Sequence, residues 1–371
     1  MKNTFGSAVT LTIWGESHGA AIGAVLDGIC AGIPVDEAEI ARWMDKRRAK
    51  ADGMSTARKE ADQVRFLSGV YKGFTTGTPI SLMIENTNTR SKDYGEGVGP
   101  ARPGHADWAA HQKYLGYEDF RGGGHFSGRI TAALVAAGAL CGQILAAKGV
   151  HLATHLAKCA GIGDMPFARD GITLENQVKT LDASQGLPVL DEDIAEKIQA
   201  AVRAAAGEGD SVGGVLETAV IGLPGGVGEP FFDSVESVLS HLLFSIPAVK
   251  GVEFGAGFGF ADLKGSAAND PLALEGGKIV TATNQNGGVN GGIANGMPLV
   301  LRSCVKPTPS IYKPQSTVNL TTGEETGLQI KGRHDPCILH RAAIVQTAAV
   351  ALGLLDLCTQ RFGALWQKEG F

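Results

Sequence analysis

The chain has 371 residues, of which 44% are hydrophobic and 19% charged, a composition typical of a soluble globular protein rather than a disordered one. Its 33 Lys and Arg stand against 38 Asp and Glu, and the net charge of -5 gives no overall electrostatic case for a nucleic-acid or membrane partner. The six cysteines lie in or beside apolar stretches, with no Cys-x-x-Cys pair and no metal-ligand spacing. They favour a reducing, cytoplasmic compartment and no metal site.

The predicted elements begin with a strand over residues 9–14, where apolar and polar residues alternate, unlike the core of a signal peptide. An amphipathic helix is predicted over residues 36–48, and Asp36 and Glu39 form a capping-box pattern at its start. The other predicted strands cover residues 22–29, 80–84, 215–221 and 299–305, and a second amphipathic helix covers residues 191–206.

Two long helices are predicted to be core elements. Residues 131–147 carry no charge, but the run is rich in alanine and is shorter than the ~20 residues that usually cross a membrane. Small residues on all sides suit close packing against other helices, so a buried helix is favoured over a membrane span. A second helix of this kind is predicted over residues 338–358.

An internal repeat relates the two halves of the chain. Three pairs of segments match in the same order: residues 22–34 with 212–224, residues 77–82 with 296–301, and the segment from Arg102 to the helix at 129 with that from Arg333 to the helix at 341. Chance similarity between Gly-rich and Ala-rich segments is the alternative. The repeat predicts a single domain over residues 1–371, with pseudo-repeat halves at about 8–150 and 210–360.

Glycine is about twice as frequent as usual, at 52 residues, and clusters in runs such as residues 122–124. Glycine-flanked backbone is combined with His, Arg, Ser or Asp in four segments, residues 15–19, 102–107, 121–129 and 332–337. Together they supply guanidinium, imidazole and amide donors, which suit a small ligand with several negative charges. Tight turns and solvated arginines are the alternative for each segment taken alone.

The histidines and one aspartate of these segments are candidates for proton transfer. His18 and His105 are each as consistent with a structural role as with a catalytic one when taken alone. An imidazole is a natural proton donor to a departing phosphate near neutral pH, and a neighbouring phosphate raises its pKa. Asp335, two residues after Arg333, suits either a general base or an ion-pair partner.

Residues 45–62 begin with a basic cluster and predict either a solvated loop or a mobile lid that brings Arg47 or Arg48 onto a phosphate. An RNA-binding module over residues 46–59 is a third reading, but no aromatic residues are interleaved there. P-loop, dinucleotide-binding and zinc-protease motifs are absent from the sequence. Residues 15–19 fit the letters of the serine-hydrolase elbow, but a predicted strand follows where that motif needs a helix.

Six ordered motifs resemble those of the chorismate synthases. They are Gly-Glu-Ser-His-Gly at 15–19, Arg-Pro-Gly-His-Ala-Asp at 102–107, Arg-Gly-Gly-Gly at 121–124 followed by Ser127 and Arg129, Ser-Ile-Pro-Ala-Val-Lys-Gly-Val-Glu-Phe-Gly at 245–255, Lys-Pro-Thr-Pro-Ser at 306–310 and Gly-Arg-His-Asp-Pro-Cys at 332–337. The resemblance covers nearly the whole chain. It implies an internally duplicated α+β fold, with long apolar helices sandwiched between two antiparallel β-sheets, assembled as a homotetramer.

The resemblance also implies an activity. It is that of a carbon-oxygen lyase of the shikimate pathway, which converts 5-enolpyruvylshikimate 3-phosphate to chorismate and phosphate. This trans-1,4-elimination requires reduced FMN (FMNH2) without net redox change. A flavin- or phosphometabolite-binding protein without turnover is the alternative.

Site residues follow from the same motifs. His18 would protonate the departing phosphate, His105 would protonate or stabilise the reduced flavin, and Asp335 would help the flavin to remove the C6 proton. The phosphate and carboxylates of the substrate would be held by Ser17, Arg47, Arg48, Arg102, Arg129 and Arg333. Flavin contacts would come from His125, Phe126, Ser127, Pro247, Ala248, Gly291, Lys306, Pro307, Thr308, Pro309, Ser310 and Arg333.

The chain departs from the family pattern in two places. Many relatives carry Arg-Ser-Ser-Ala-Arg-Glu after the glycine triplet, whereas residues 125–130 read His-Phe-Ser-Gly-Arg-Ile, so that His125 is the candidate to replace the missing arginine. Gly53 and Met54 stand where some relatives place another arginine, and reduction of the flavin by NADP(H) on the protein itself is therefore not supported. A separate flavin reductase is the other possible electron source.

Overall fold

A computed structural model describes residues 2–49, 54, 61–87, 98–330 and 334–368. The helices in these residues are α1 (Glu37–Arg47), α2 (Asp107–Tyr114), α3 (Thr131–Ala147), α4 (Gly171–Ala183), α5 (Glu192–Gly207), α6 (Val235–Ser245), α7 (Gly265–Ala268) and α8 (Leu339–Phe362). The strands of the first half are β1 (Thr4–Phe5), β2 (Thr10–Gly15), β3 (Ala21–Asp27), β4 (Val64–Phe66), β5 (Val70–Tyr71), β6 (Phe74–Thr75) and β7 (Ile80–Glu85). Those of the second half are β8 (His151–Cys159), β9 (Ile162–Gly163), β10 (Gly214–Ile221), β11 (Val249–Phe254), β12 (Leu272–Glu275), β13 (Lys278–Thr281), β14 (Val289–Asn290), β15 (Ile293–Ala294), β16 (Leu299–Val305), β17 (Gln315–Val318) and β18 (Glu325–Leu328).

Two five-stranded antiparallel sheets enclose a layer of helices. The first sheet has the order β1-β2-β3-β7-β4 and the second the order β11-β16-β10-β8-β9. Helix α3 packs on the first sheet, α8 packs on the second, and the two helices contact each other between the sheets. Helix α1 contacts both α3 and α8, and α6 contacts α8. This arrangement confirms the α+β fold with apolar helices between two antiparallel sheets.

The two halves of the chain repeat one topology. The order β2-β3-α1-β4-β7-α3 in the first half corresponds to β8-β10-α6-β11-β16-α8 in the second. Each half also places its four matching strands side by side in the same order, β2-β3-β7-β4 and β8-β10-β16-β11. The equivalence supports the pseudo-repeat read from the sequence, and we propose that residues 1–371 form one duplicated domain.

The central helices are core elements, as their composition predicts. Helix α3 has the bounds predicted for it, and α8 continues four residues beyond the predicted end at residue 358. A Cβ added at Gly138 of α3 would lie 2.5 Å from the Cβ of Ala348 in α8, so glycine permits this close approach of the two helices. Together with the 3-10 turn that precedes it, α3 forms a helical stretch of 20 residues, Gly128–Ala147, which like α8 is apolar and long enough to span a membrane. However, 78% and 100% of the most apolar parts of these two stretches are buried inside the protein.

Helix α1 begins with half of the predicted capping box. The Asp36 carboxylate accepts hydrogen bonds from the backbone N–H groups of Ala38 and Glu39, as an N-cap should. The Glu39 carboxylate does not return to the Asp36 backbone, because it accepts hydrogen bonds from Arg42 and Trp43. The reciprocal part of the capping box was therefore wrong: the backbone N–H of Asp36 donates instead to Oε1 of Gln143 in α3, at 3.1 Å.

A buried charge network joins β8 to β10 in the second sheet. The fully buried ring of His155 lies between two carboxylates, with Nδ1 2.9 Å from Oδ2 of Asp164 and Nε2 3.0 Å from Oε2 of Glu217. Burial lowers the pKa of His155, but the hydrogen bonds to Asp164 and Glu217 outweigh it and raise that pKa. The fold therefore stabilises the imidazolium form.

Replacement of His155 by glutamine should lower the free energy of unfolding by about 3–5 kcal/mol, because buried Asp164 loses the imidazolium and Glu217 is left with Arg302, whose Nη1 is 3.7 Å away. The pKa of His155 lies above that of the unfolded chain, roughly 6.5, so this stabilisation is complete below that value and is lost as the pH rises through the folded pKa. Urea unfolding of the native protein and His155→Gln at about pH 6 and pH 9 measures both effects. A cost of substitution that increased toward pH 9 would contradict the assignment.

Candidate active site

The glycine triplet at residues 122–124 forms a loop in which all three φ angles are positive, 60°, 84° and 53°. A Cβ at Gly122 would lie 2.3 Å from Cε1 of His18 and 3.0 Å from Oγ of Ser17. The carbonyl of Gly124 accepts a hydrogen bond of 3.1 Å from the backbone N–H of Ser17. Only glycine satisfies both the backbone conformation and the close approach, and the first and third sequence motifs therefore meet here.

His105 lies against the next glycine of the loop, since a Cβ at Gly123 would be 3.5 Å from its Nε2. Nδ1 of His105 is 2.6 Å from Oδ1 of Asp107, and Arg102 donates from Nε and Nη2 to the two oxygens of Asp107 at 2.8 and 2.7 Å. Burial raises the pKa of Asp107, but the hydrogen bonds from Arg102 and His105 outweigh it and hold that pKa far below its usual range.

This arrangement fixes the proton on His105. The ionised Asp107 can only accept a hydrogen bond, so Nδ1 of His105 carries a proton and Nε2 is left to gain or release one beside Gly123. The sequence patterns did not single out Asp107 as a functional residue, although it ends the second motif.

A cavity of about 830 Å³ opens beside the glycine loop. His105, Arg102 and Asp335 line it together with apolar side chains. Among the residues expected to contact a flavin, the wall includes His125, Phe126, Ser127, Pro247, Ala248, Lys306, Thr308, Pro309 and Ser310. Of the other expected residues, Pro307 and Gly291 are not part of this wall, and Arg333 lies outside the residues that the structure describes.

A smaller cavity of about 290 Å³ adjoins the larger one, and Ser127, Pro247, Thr308 and Asp335 line both. Over the described part of its wall, four guanidinium groups face two carboxylates: those of Arg47, Arg48, Arg129 and Arg341 against Asp62 and Asp335. The excess of positive charge suits an anionic ligand.

Asp62 brings two of the expected ligand-binding arginines together. Its side chain is 5% exposed, and its oxygens accept hydrogen bonds from Nη1 of Arg129 and, at 3.2 Å, from Nη1 of Arg47. Arg47 also donates from Nη2 to the carbonyl of Gly128, at 2.8 Å, and Arg129 donates from Nε to Oδ1 of Asn86, at 3.0 Å. Both guanidinium groups are thus oriented by the protein before any ligand arrives.

Arg341 binds the carboxylate of Asp335. Arg341, in the first turn of α8, donates from Nη1 to Oδ2 of Asp335 at 2.7 Å and from Nε to the carbonyl of Arg47 at 2.9 Å. Arg341 lies in the segment that the internal repeat aligns with the segment of Arg129, and this was the sequence signal that could have identified it. Most of the expected lid, residues 45–62, lies outside the described residues; Arg48 is described and binds Asp45 and the carbonyl of Ala61.

His125, the candidate replacement for an arginine, uses one of its two ring nitrogens in a hydrogen bond within the protein. Its Nδ1 donates to the carbonyl of Gly15 at 2.8 Å, so a neutral His125 has its proton on Nδ1 and an acceptor at Nε2. It becomes a cation only by gaining a second proton. The ring of Phe126 packs on Tyr114 with centroids 6.1 Å apart.

Ser17 supplies a further sign of ligand binding. Its side chain is 1% exposed, and its Oγ has no hydrogen-bond partner among the residues that the structure describes. Buried hydroxyl groups are nearly always paired in native proteins. The unpaired hydroxyl lies next to Gly122, which lines the larger cavity, although Ser17 and His18 are not themselves part of the wall of either cavity.

The chorismate synthase family model matches residues 9–359 of the chain. The chain belongs to the chorismate synthase family. The chorismate synthase of Methanosarcina acetivorans is 47% identical over 356 residues, which cover 95% of each chain, and that of Thermococcus kodakarensis is 42% identical, covering 96% of this chain and 97% of the relative. A crystal structure of chorismate synthase is similar with a TM-score of 0.76 and 27% identity, over 97% of this chain and 94% of that one.

Membership of the chorismate synthase family confirms the resemblance read from the six motifs. It also identifies the chain as a lyase of the shikimate pathway and favours catalysis over the alternative of a binding protein without turnover.

Substitution of Gly122 by alanine should lower kcat/KM at least about 100-fold, the scale seen when catalytic groups are displaced by about 1 Å. The new methyl group would overlap the ring of His18, whereas a Cβ at Gly171, the first residue of α4, meets no atom within 4 Å and Gly171 lacks a positive φ. Gly171 lines neither cavity, so Gly171→Ala is the matched control and should retain activity. Steady-state kinetics of both variants test this, and equal activities would contradict the role of the glycine loop.

Substitution of Asp62 by asparagine should lower the free energy of unfolding by about 3–5 kcal/mol, because two buried guanidinium groups lose their shared counter-charge. Asp45→Asn removes an exposed partner of Arg48 and should change stability by less than about 0.5 kcal/mol. Urea unfolding measures both. Inorganic phosphate should raise the melting temperature of Asp62→Asn more than that of the native protein, and an equal rise would argue against an anion site at these arginines.

Proposed function

We propose that the chain converts 5-enolpyruvylshikimate 3-phosphate to chorismate and phosphate, with reduced FMN and the substrate side by side in the two adjoining cavities. The C–O bond to phosphate breaks at one end of the allylic system and a C–H bond breaks at C6, so that one new double bond forms without net oxidation. The observation that carries the proposal is the shared wall: Asp335 lines both cavities, next to an excess of arginines.

The residues of the larger cavity fit a flavin. Phe126, Leu134 and Ile246 offer apolar surface for a planar ring, and Lys306 offers a positive charge for a phosphate. When bound, reduced FMN would supply the electron-rich ring system that lets the elimination proceed without net change in oxidation state.

The proton transfers are assigned to three side chains of this protein. Asp335, oriented by Arg341, would receive the C6 proton, and it lines both cavities. His105 would hold a proton at Nε2, with Asp107 stabilising the resulting cation. His18, packed on Gly122 beside the unpaired hydroxyl of Ser17, would donate a proton to the departing phosphate.

An anaerobic assay with reduced FMN tests the function. Chorismate absorbance and phosphate should appear in equal amounts with reduced FMN, and neither should appear with oxidised FMN. His18→Ala should slow turnover by about 10²–10⁴-fold with little loss of substrate affinity, since a proton donor acts mainly in the transition state. His111→Ala, which removes a partner of Glu118 outside the two cavities, is the control. Absence of both products in the native protein would sink the proposal.

The proposed assembly is a homotetramer in the cytoplasm. Large apolar side chains are strongly exposed on the single chain, between 72% and 88%: Phe231, Phe232, Phe258, Leu272, Leu274 and Ile279. Apolar surface of this extent is typical of subunit interfaces. The six cysteines are free thiols, which agrees with a reducing compartment. Oxidation of NADPH by the purified protein with FMN would distinguish self-reduction from supply by a separate flavin reductase.

A further inference from the structure

His334 lies in the wall of the smaller cavity, next in sequence to Asp335. Its Nε2 is buried and has no hydrogen-bond partner among the described residues. The ring is held by Tyr312, whose centroid is 6.0 Å away. A buried imidazole nitrogen without a partner is costly, so a bound molecule is the natural source of the missing hydrogen bond.

The surroundings of His334 keep its ring neutral. Burial lowers the pKa of His334, the charges of Arg102 and His105 lower it further, and Asp335 raises it only in part. A neutral imidazole has one N–H and one lone pair, and Nε2 therefore makes one uncharged hydrogen bond. His334 thus differs from the arginines of the same cavity, which suit charged groups.

Thr308 gives an independent observation of the same kind. Its Oγ1 is buried, has no hydrogen-bond partner in the described part of the chain, and belongs to a residue that lines the same cavity as His334. Native proteins leave few buried polar atoms without a hydrogen bond. Two such uncharged atoms in one small cavity are therefore unusual. The cavity therefore contains a neutral polar region beside its cationic one.

We propose that His334 and Thr308 form a subsite that hydrogen-bonds the uncharged ring hydroxyl of the substrate. The inference rests on the proposed function, whose substrate has one phosphate, two carboxylates and one free hydroxyl. The arginines match the anionic groups, and the two neutral side chains match the hydroxyl. Sites that hydrogen-bond a substrate hydroxyl reject an analogue that lacks it, because their buried polar groups are then left unpaired.

The test compares the substrate with an analogue that lacks the ring hydroxyl. Native protein should prefer the substrate by at least about tenfold in kcat/KM. His334→Phe keeps a ring against Tyr312 but removes Nε2, and it should lower kcat/KM for the substrate about tenfold while leaving the analogue unchanged. His334→Gln places an amide near the position of Nε2 and should retain most of the preference. Thr308→Val, which preserves shape, should reduce the preference in the same direction.

Two results would overturn the inference: native protein that does not distinguish the two compounds, or His334→Phe that lowers both equally, as a purely structural role would. Melting temperatures of the variants show whether each is folded, and Thr308→Val provides the comparison if His334→Phe is not. Failure of the proposed function is seen separately, as absence of chorismate from the native protein. In that case calorimetric affinities for the two compounds replace kcat/KM, with the same expected tenfold difference.

Discussion

The site depends on three consecutive glycines, residues 122–124, whose backbone carries no side chains. The loop has left-handed φ angles at three consecutive residues, and His18 lies so close to Gly122 that a Cβ there would overlap its ring. A Cβ at Gly123 would only contact His105, so at that residue it is the left-handed backbone that requires glycine. At this loop, glycine is needed both for the turn and for the close approach of His18 to the backbone. The same short segment also positions the two imidazoles.

Paired charges orient the rest of the site. Asp107 holds Arg102 and His105, Asp62 holds Arg47 and Arg129, and Arg341 holds Asp335. Each pair fixes a side chain before a ligand binds, which reduces the entropy lost on binding. Over the described wall of the smaller cavity four guanidinium groups still exceed two carboxylates, so the pre-organised site retains positive charge for an anionic substrate.

Patterns local in sequence predicted four of the eight helices in the described residues, α1, α3, α5 and α8, and several strands, whereas the expected residues of the cavity wall came from the resemblance to a family. Helix α3 and strand β16 have the predicted bounds. Both segments, an uncharged alanine-rich run and a short apolar run, are stable only in the buried core. The role of Asp62 was not predictable in this way, because its partners lie 15 and 67 residues away and the contact exists only in the folded chain. The vacant hydrogen-bonding atoms of His334 and Thr308 were hidden for the same reason: burial and lack of a partner are properties of three-dimensional packing.

In the proposed complex, the flavin and the substrate occupy adjoining cavities with a common wall. Anaerobic titration of reduced FMN, with and without 5-enolpyruvylshikimate 3-phosphate, tests it most directly through the absorbance spectrum of the flavin. If the two ligands are in contact across the shared wall, substrate should change the absorbance spectrum of bound reduced FMN and tighten its binding. By the same coupling, reduced FMN should tighten the binding of substrate. Identical spectra and identical flavin affinities in the two titrations would contradict the account.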